Sequence, residues 1–216
     1  MEWWHTIELP DGTVTSGRHD YRTEGGKRYL LPEDLTGKRV LDFGTYDGFW
    51  AIEAKKRGAN YVVAADRFDP AIETAKLALG AYDIPYACSG DMDFPLPGDF
   101  CRGFDVVLFY GILYHLKNPF MGLWTAAGCC KPGGLVIVES AVNQGKIAGI
   151  NADFPLMWVT DLSYDKDTWP DISNYYIPNE AAVAQLCKMA GLIPIESAWS
   201  SCKTRFTLKC QKPMVS

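Results

Sequence analysis

Short continuous apolar runs alternate along this chain with segments whose apolar positions recur every three or four residues. Arg39-Val40-Leu41-Asp42-Phe43 is a run of the first kind, reads as a buried strand and stops at Gly44. Phe49 to Arg57 follows as a helix, with Lys55-Lys56-Arg57 as a solvated basic end and Gly58 as its stop. Tyr61 to Ala65 is a second buried strand, closed by Asp66, and Pro70 to Leu79 is a helix with proline in its first turn. A weak third strand lies near Pro85 to Cys88, a fourth spans Phe104 to Phe109, and a helix lies near Phe120 to Cys130. Pro132-Gly133-Gly134 turns the chain into Leu135 to Glu139. Residues 141–177 show no periodicity. Asn179 then caps a helix over Glu180 to Ala190, and the strands Leu192 to Trp199 and Arg205 to Lys209 close the chain. Ahead of Lys38, Asp11-Gly12 marks a hairpin turn between Ile7-Glu8-Leu9 and Thr13-Val14-Thr15.

Apolar strands alternating with amphipathic helices predict an α/β fold, its mainly parallel sheet covered by helices on both faces. The last two strands are joined too tightly for a parallel crossover, which puts one antiparallel strand at an edge.

Composition narrows this picture only a little. A chain of 216 residues, 48% hydrophobic and 22% charged, is expected to form a single domain with its own core and no need of staples. No stretch nears the roughly 20 apolar residues of a membrane span, and Met1-Glu2-Trp3-Trp4-His5 is not a secretory signal. The expectation is a soluble, cytoplasmic protein. Seven cysteines without a C-x-x-C pair fit neither a disulfide framework nor a zinc site, so they read as buried hydrophobes and no metal is expected. Charge is more informative. The net −5 hides a middle section, residues 61–180, with 15 acidic and 7 basic side chains. A phosphate backbone is gripped by basic stripes, so this balance argues against a nucleic-acid partner.

Chemistry concentrates where the predicted strands end, the place where ligands bind in such sheets. Gly44 and Gly48 let the backbone turn tightly after the first strand, and Asp42 lies just before that turn. Asp66, with Arg67 beside it, follows the second strand, where a carboxylate can accept both hydroxyls of a ribose. Asp91, next to Met92, follows the third, where it can accept a bond from an adenine amino group. A dinucleotide fingerprint needs glycine at the position of Tyr46, and a diphosphate would be repelled by Asp42 and Asp47. Those acids suit the cationic amino-acid tail of S-adenosylmethionine (SAM) better than NAD. For Asp47, capping the Phe49 helix and touching the cofactor stand as equal alternatives.

With Asp66, Asp91 and Phe104-Asp105-Val106-Val107, the Asp42-x-Gly44-x-x-x-Gly48 segment resembles the class I SAM-dependent methyltransferases, over about residues 38 to 210. The resemblance implies a Rossmann-like, seven-stranded sheet. It also implies four parts: a lead-in or lid (1–37), a SAM-binding core (38–140), a substrate cap (141–178) and a C-terminal helix and hairpin (179–216). Tyr46 replaces the family's middle glycine and should reshape the turn. Gly111-Ile112-Leu113-Tyr114-His115-Leu116, Leu135-Val136-Ile137-Val138-Glu139-Ser140 and Asn174-Tyr175-Tyr176-Ile177-Pro178 are similar to the branch of the tRNA wobble-uridine 5-oxyacetate (carboxymethyl) transferase. That similarity implies that Tyr114 and Arg205 lie at the carboxylate of a carboxylated SAM, with Tyr110 lining the cofactor pocket. The lysine of that enzyme's lead-in has no counterpart before Lys27, leaving Arg18 or Arg22 to substitute, and its large N-terminal region has none either. Ordinary SAM and methyl transfer are therefore expected.

On the acceptor side, Tyr114-His115 follows the fourth strand and faces the methyl group, with His115 as the candidate base. His5 and His19 sit in the lead-in, over the mouth of the site or as plain surface groups, while Trp3 and Trp4 anchor that arm. Trp158 and Tyr176 belong to the cap, where Asp153, Asp161, Asp165, Asp167 and Asp171 face only Lys166. An acidic, aromatic cap suits a neutral or amine-bearing small molecule, with S-adenosylhomocysteine (SAH) as the cofactor product. A tRNA-modifying (carboxy)methyltransferase is the first alternative and a non-catalytic SAM-binding or partner-binding domain the second.

Overall fold

Alternation within the apolar runs sends neighbouring side chains to opposite faces, and the computed structural model shows both faces covered. It describes residues 2–22, 29–67, 72–88, 102–143, 151, 153–160, 173–201 and 203–214. The lead-in contributes β1 (Trp3–His5) and β2 (Gly17–His19). The body follows as β3 (Arg39–Phe43), α1 (Phe49–Lys56), β4 (Tyr61–Asp66), α2 (Ile72–Ala81), β5 (Tyr86–Cys88) and β6 (Phe104–Tyr110). Next come a 3-10 turn (Leu113–His115), α3 (Pro119–Cys129) and β7 (Cys130–Ala141). The chain ends with β8 (Met157–Val159), β9 (Tyr176–Pro178), α4 (Glu180–Met189), β10 (Ile193–Trp199) and β11 (Arg205–Gln211).

Seven strands form the central sheet in the order β10-β11-β7-β6-β3-β4-β5. β11 runs antiparallel to both of its neighbours and is slotted one place in from the edge, so β10 again points with the body. Leu41, Phe43, Val107 and Phe109 face α3 and α4, while Val40, Val62, Val106 and Leu108 face α1, α2 and the lead-in. Complete burial of side chains such as Phe43 and Phe109 stabilises the fold by about 1.5–3 kcal/mol each. The four cysteines 129, 130, 187 and 210 are buried free thiols within it.

The body elements lie within a residue or two of expectation, and β7 shows why it is longer than Leu135 to Glu139. Opposite Phe104 and Val106 its register slips, so Lys131 to Gly134 bulge out before the ladder resumes. The basic end of α1 is not wholly solvated: Arg57 donates to the carbonyls of Leu31 (2.7 Å) and Pro32 (3.1 Å) and ties the lead-in down. The Asp11-Gly12 turn forms, with Leu9 N–H donating to Thr13 O (2.8 Å) and Gly12 at φ +85°. Two pairings went unforeseen. β1 and β2 pair in parallel, and β8 and β9 form an antiparallel ribbon. Among the described residues no helix is long and apolar enough to cross a membrane.

Candidate active site

The parallel topology brings the ends of β3, β4 and β6 side by side, and the acidic turn grows from the end of β3. Gly44 takes φ +66°, and a Cβ there would sit 2.6 Å from Ile112 Cγ1, so only glycine fits. Asp42 is 1% exposed; its carboxylate accepts the Thr45 hydroxyl (2.7 Å) and the Ala51 N–H. Burial pushes its carboxyl up to about 7, with the two hydrogen bonds opposing and the charges of Asp66 and Asp47 adding. Tyr46 adopts φ +51° and its N–H donates to Asp66 (2.8 Å). That φ lies in the left-handed region that favours glycine. Arg67 lies exposed beyond Asp66.

Asp47 does not cap α1. Gly48, at φ +94°, is the N-cap of α1, and the Asp47 carboxylate is fully buried against the lead-in, bonded to Trp4 and His5. His5 is accordingly buried and stacked on Phe49, while His19 is half-buried beside Trp4, at 4.6 Å between rings. Trp3 packs on the core, whereas the Trp4 ring is largely exposed and holds the arm through its N–H bond to Asp47 and its contact with Tyr46.

The other half of the site gathers around the end of β6. Tyr110 is buried beside Asp42 and donates its hydroxyl to Tyr29 O (2.7 Å). Tyr114 accepts a bond from Arg205 Nη1 (3.0 Å) through its hydroxyl, and the guanidinium lies 5.2 Å from the ring centroid. Arg205 also grips Glu139 with two hydrogen bonds, Nε to Oε1 (2.7 Å) and Nη2 to Oε2 (3.0 Å). Burial of the guanidinium would lower its pKa, but Glu139 and Tyr114 raise it further, so Arg205 stays charged. The Glu139 side chain is 2% exposed. Its position at the end of an apolar strand is the signal that drew notice to Asp42 and Asp66, yet sequence reasoning treated it only as part of a motif.

His115 follows Tyr114 in the 3-10 turn, and its Nδ1 lies 2.9 Å from Ser173 Oγ and 3.1 Å from Ser173 O. Tyr175 N–H donates to Tyr114 O (2.8 Å), so the strand leading into β9 is laid along this turn. Between them Asn174 is 1% exposed, and its Oδ1 is a buried acceptor with no hydrogen-bond partner among the described residues. Neither Ser173 nor Asn174 carried a local signal of its own. In the β8–β9 ribbon Trp158 pairs with Ile177 and Val159 with Tyr176, which sends Trp158 and Tyr176 to opposite faces. The structure therefore does not bring these two cap aromatics together; the Tyr176 hydroxyl donates to Lys117 O (3.3 Å). Asp91, Met92 and the cap acids from Asp161 to Asp171 lie outside the described residues.

A mainly parallel open sheet with acids in the last turns of neighbouring strands defines the class of α/β domain that binds its ligands beyond the C-terminal ends of the strands. A family profile described as a methyltransferase domain matches residues 18–196, and the chain belongs to that family. A tRNA U34 carboxymethyltransferase of Methylococcus capsulatus is 36% identical over 118 residues, covering 52% of this chain and 35% of that protein. A ubiquinone biosynthesis O-methyltransferase of Neisseria meningitidis is 32% identical over 166 residues, covering 74% and 65%. The crystal structure of an S-adenosylmethionine dependent methyltransferase from Mesorhizobium loti shares the fold, with a TM-score of 0.64 at 16% identity over 85% of this chain and 94% of that one. The chain spans roughly one third to two thirds of the length of the curated relatives it matches.

Proposed function

We propose that this chain is a SAM-dependent methyltransferase that moves a methyl group to an oxygen or nitrogen of a small-molecule acceptor. The observation that carries this reading is the pair of acids at the adjacent ends of β3 and β4, Asp42 and Asp66, within a domain of the methyltransferase family. Such a donor set fits a cofactor that is cationic and bears a ribose. Asp66 takes the Tyr46 N–H, and a carboxylate in that place is an acceptor of the kind that ribose hydroxyls need. The buried charge of Asp42 favours a sulfonium and an ammonium through its field. SAM supplies an already activated methyl group, so the protein's task is to align a nucleophile and exclude water.

Two side chains beside Asn174 serve the acceptor. Tyr114 is held by Arg205, which fixes its hydroxyl and ring. His115, held through Nδ1 at Ser173, is the residue that takes the proton an attacking hydroxyl or amine gives up. By sequence range, residues 141–178 are assigned to the substrate cap and residues 1–37 to the lead-in, and buried thiols suit a reducing cytoplasm.

A second reading, carboxymethyl transfer to a tRNA wobble uridine, is favoured by one observation: Arg205 and Tyr114 do meet, as the resemblance to that branch requires. Against it, Glu139 already balances the Arg205 charge, which supports unmodified SAM. Incubation of the protein with methyl-labelled SAM, and separately with carboxylated SAM labelled in its carboxymethyl group, against panels of phenols, amines and tRNA tests both. Label on a small molecule that falls about a hundredfold in His115→Ala is expected. Label on tRNA alone, or none on any acceptor, contradicts the main reading.

A further inference from the structure

The lead-in holds the turn after β3 through one buried carboxylate. Both oxygens of the buried Asp47 are committed to β1: Oδ2 accepts the N–H groups of Trp4 (3.0 Å) and His5 (2.7 Å), and Oδ1 meets His5 Nδ1 at 2.5 Å. Charge-assisted bonds of this kind, shielded from water, are the strong ones. The arm that makes them is itself built to stay in place. Thr15 Oγ1 accepts from Ile7 N–H (2.8 Å) and donates to His5 O (3.1 Å), and Thr6 N–H donates to His19 O (2.8 Å). A Cβ on Gly17 would fall 2.1 Å from the His5 carbonyl carbon, so only glycine lets β2 lie against β1.

On the other side of this contact lies a strained turn. Tyr46 sits at φ +51° and Gly48 at φ +94°, flanking Asp47 on both sides. A non-glycine residue in the left-handed region costs about 1 kcal/mol and persists only where its surroundings over-determine it. Here one restraint is the Tyr46 N–H bond to Asp66, and another is the edge-on contact of the Tyr46 ring with Trp4, at 6.1 Å. The grip of the arm on Asp47, one residue along, is the third.

We propose that His5 and Asp47 are positioning residues: they clamp the lead-in onto the β3 turn and so hold Tyr46 against Asp66 in the arrangement that receives the cofactor. The clamp touches no cofactor atom and acts by removing the freedom the turn would otherwise lose on binding. The inference rests on the SAM reading above. It also gives the Trp-His and Thr-x-Gly segments of the lead-in a shared purpose, since both are needed to present two backbone N–H groups and an imidazole to one carboxylate.

Calorimetric titration with SAH, alongside thermal unfolding, tests it. His5→Ala and Asp47→Ala are each expected to weaken SAH about tenfold or more, and the double variant hardly further, because the two act as one unit. His5→Asn, whose amide can still donate to Asp47, is expected to recover most of that affinity. Arg57→Ala, which loosens the lead-in elsewhere, lowers the melting temperature but leaves SAH affinity unchanged. In the wild-type protein, SAH is expected to slow hydrogen exchange at the Trp4 and His5 amides, since coupling between sites is reciprocal. Folded His5→Ala that binds SAH like wild type, or exchange at those amides that SAH does not alter, overturns the clamp alone. Wild-type protein that takes no SAH overturns the SAM reading instead, and this separates the two failures.

Discussion

The two halves of the candidate site are assembled in opposite ways. On the cofactor side, Asp42, Gly44, Tyr46 and Gly48 lie within seven residues of chain, and Asp66 arrives at the end of the next strand. On the acceptor side, Tyr114, Glu139 and Arg205 span more than ninety residues and meet because β6, β7 and β11 are neighbours. The first half stores its chemistry in backbone geometry and in carboxylates that burial holds in tension. The second stores it in a balanced charge network that fails if one member is lost. A local site tolerates the loss of a neighbour and changes its titration; an assembled one does not.

Arg205→Leu presses hardest on this contrast. It leaves the Glu139 carboxylate buried without its cation, and removing one partner of such a pair costs about 3–5 kcal/mol. Denaturant unfolding measures it, and a loss below about 1 kcal/mol would place the pair among ordinary surface bridges.

Asp42 gives a smaller effect with a definite direction in pH. Its carboxyl titrates near 7 when folded, above the ordinary value near 3.8 of the unfolded chain. The native state therefore holds the extra proton between these values. The stability this provides is fully present below pH 3.8 and is lost as pH rises toward 7, at up to about 1.4 kcal/mol per pH unit. The ligand's positive charge favours the ionised carboxylate, so SAH affinity should rise between pH 6 and 8. Asp42→Asn is expected to flatten both profiles, and a wild-type affinity independent of pH over that range would detach Asp42 from the cofactor.

Tyr46→Gly is the mildest change. It relieves a left-handed tyrosine and is expected to alter stability by about 1 kcal/mol or less, because glycine also frees the unfolded chain. A loss of several kcal/mol in unfolding experiments would mean that the ring against Trp4, rather than the backbone, holds the turn.

The same contrast explains what could be read in advance. Arg39 to Phe43 and the helix that starts at Phe49 coincide with their expected starts, because an apolar run ended by Gly44 is a local signal. The acids at the strand ends were legible for the same reason. β1, β2, β8 and β9 are three-residue strands whose partners lie elsewhere in the chain, so they leave no alternation to detect. Asp47 looked like a cap or a ligand because its real partner, His5, is 42 residues away. The opposed directions of Trp158 and Tyr176 follow from a register that no pattern within residues 141–177 announces. His115 was legible as a candidate, but the Ser173 contact that orients its ring was not.

The central claim is that the ends of β3 and β4 hold an adenosyl cofactor, and calorimetric titration with SAH tests it most directly. The account predicts saturable one-to-one binding to the wild-type protein. It also predicts a loss of about thirtyfold in Asp66→Ala, the worth of hydrogen bonds between ribose and a charged carboxylate. No heat with SAH, or equal binding by Asp66→Ala, would contradict it.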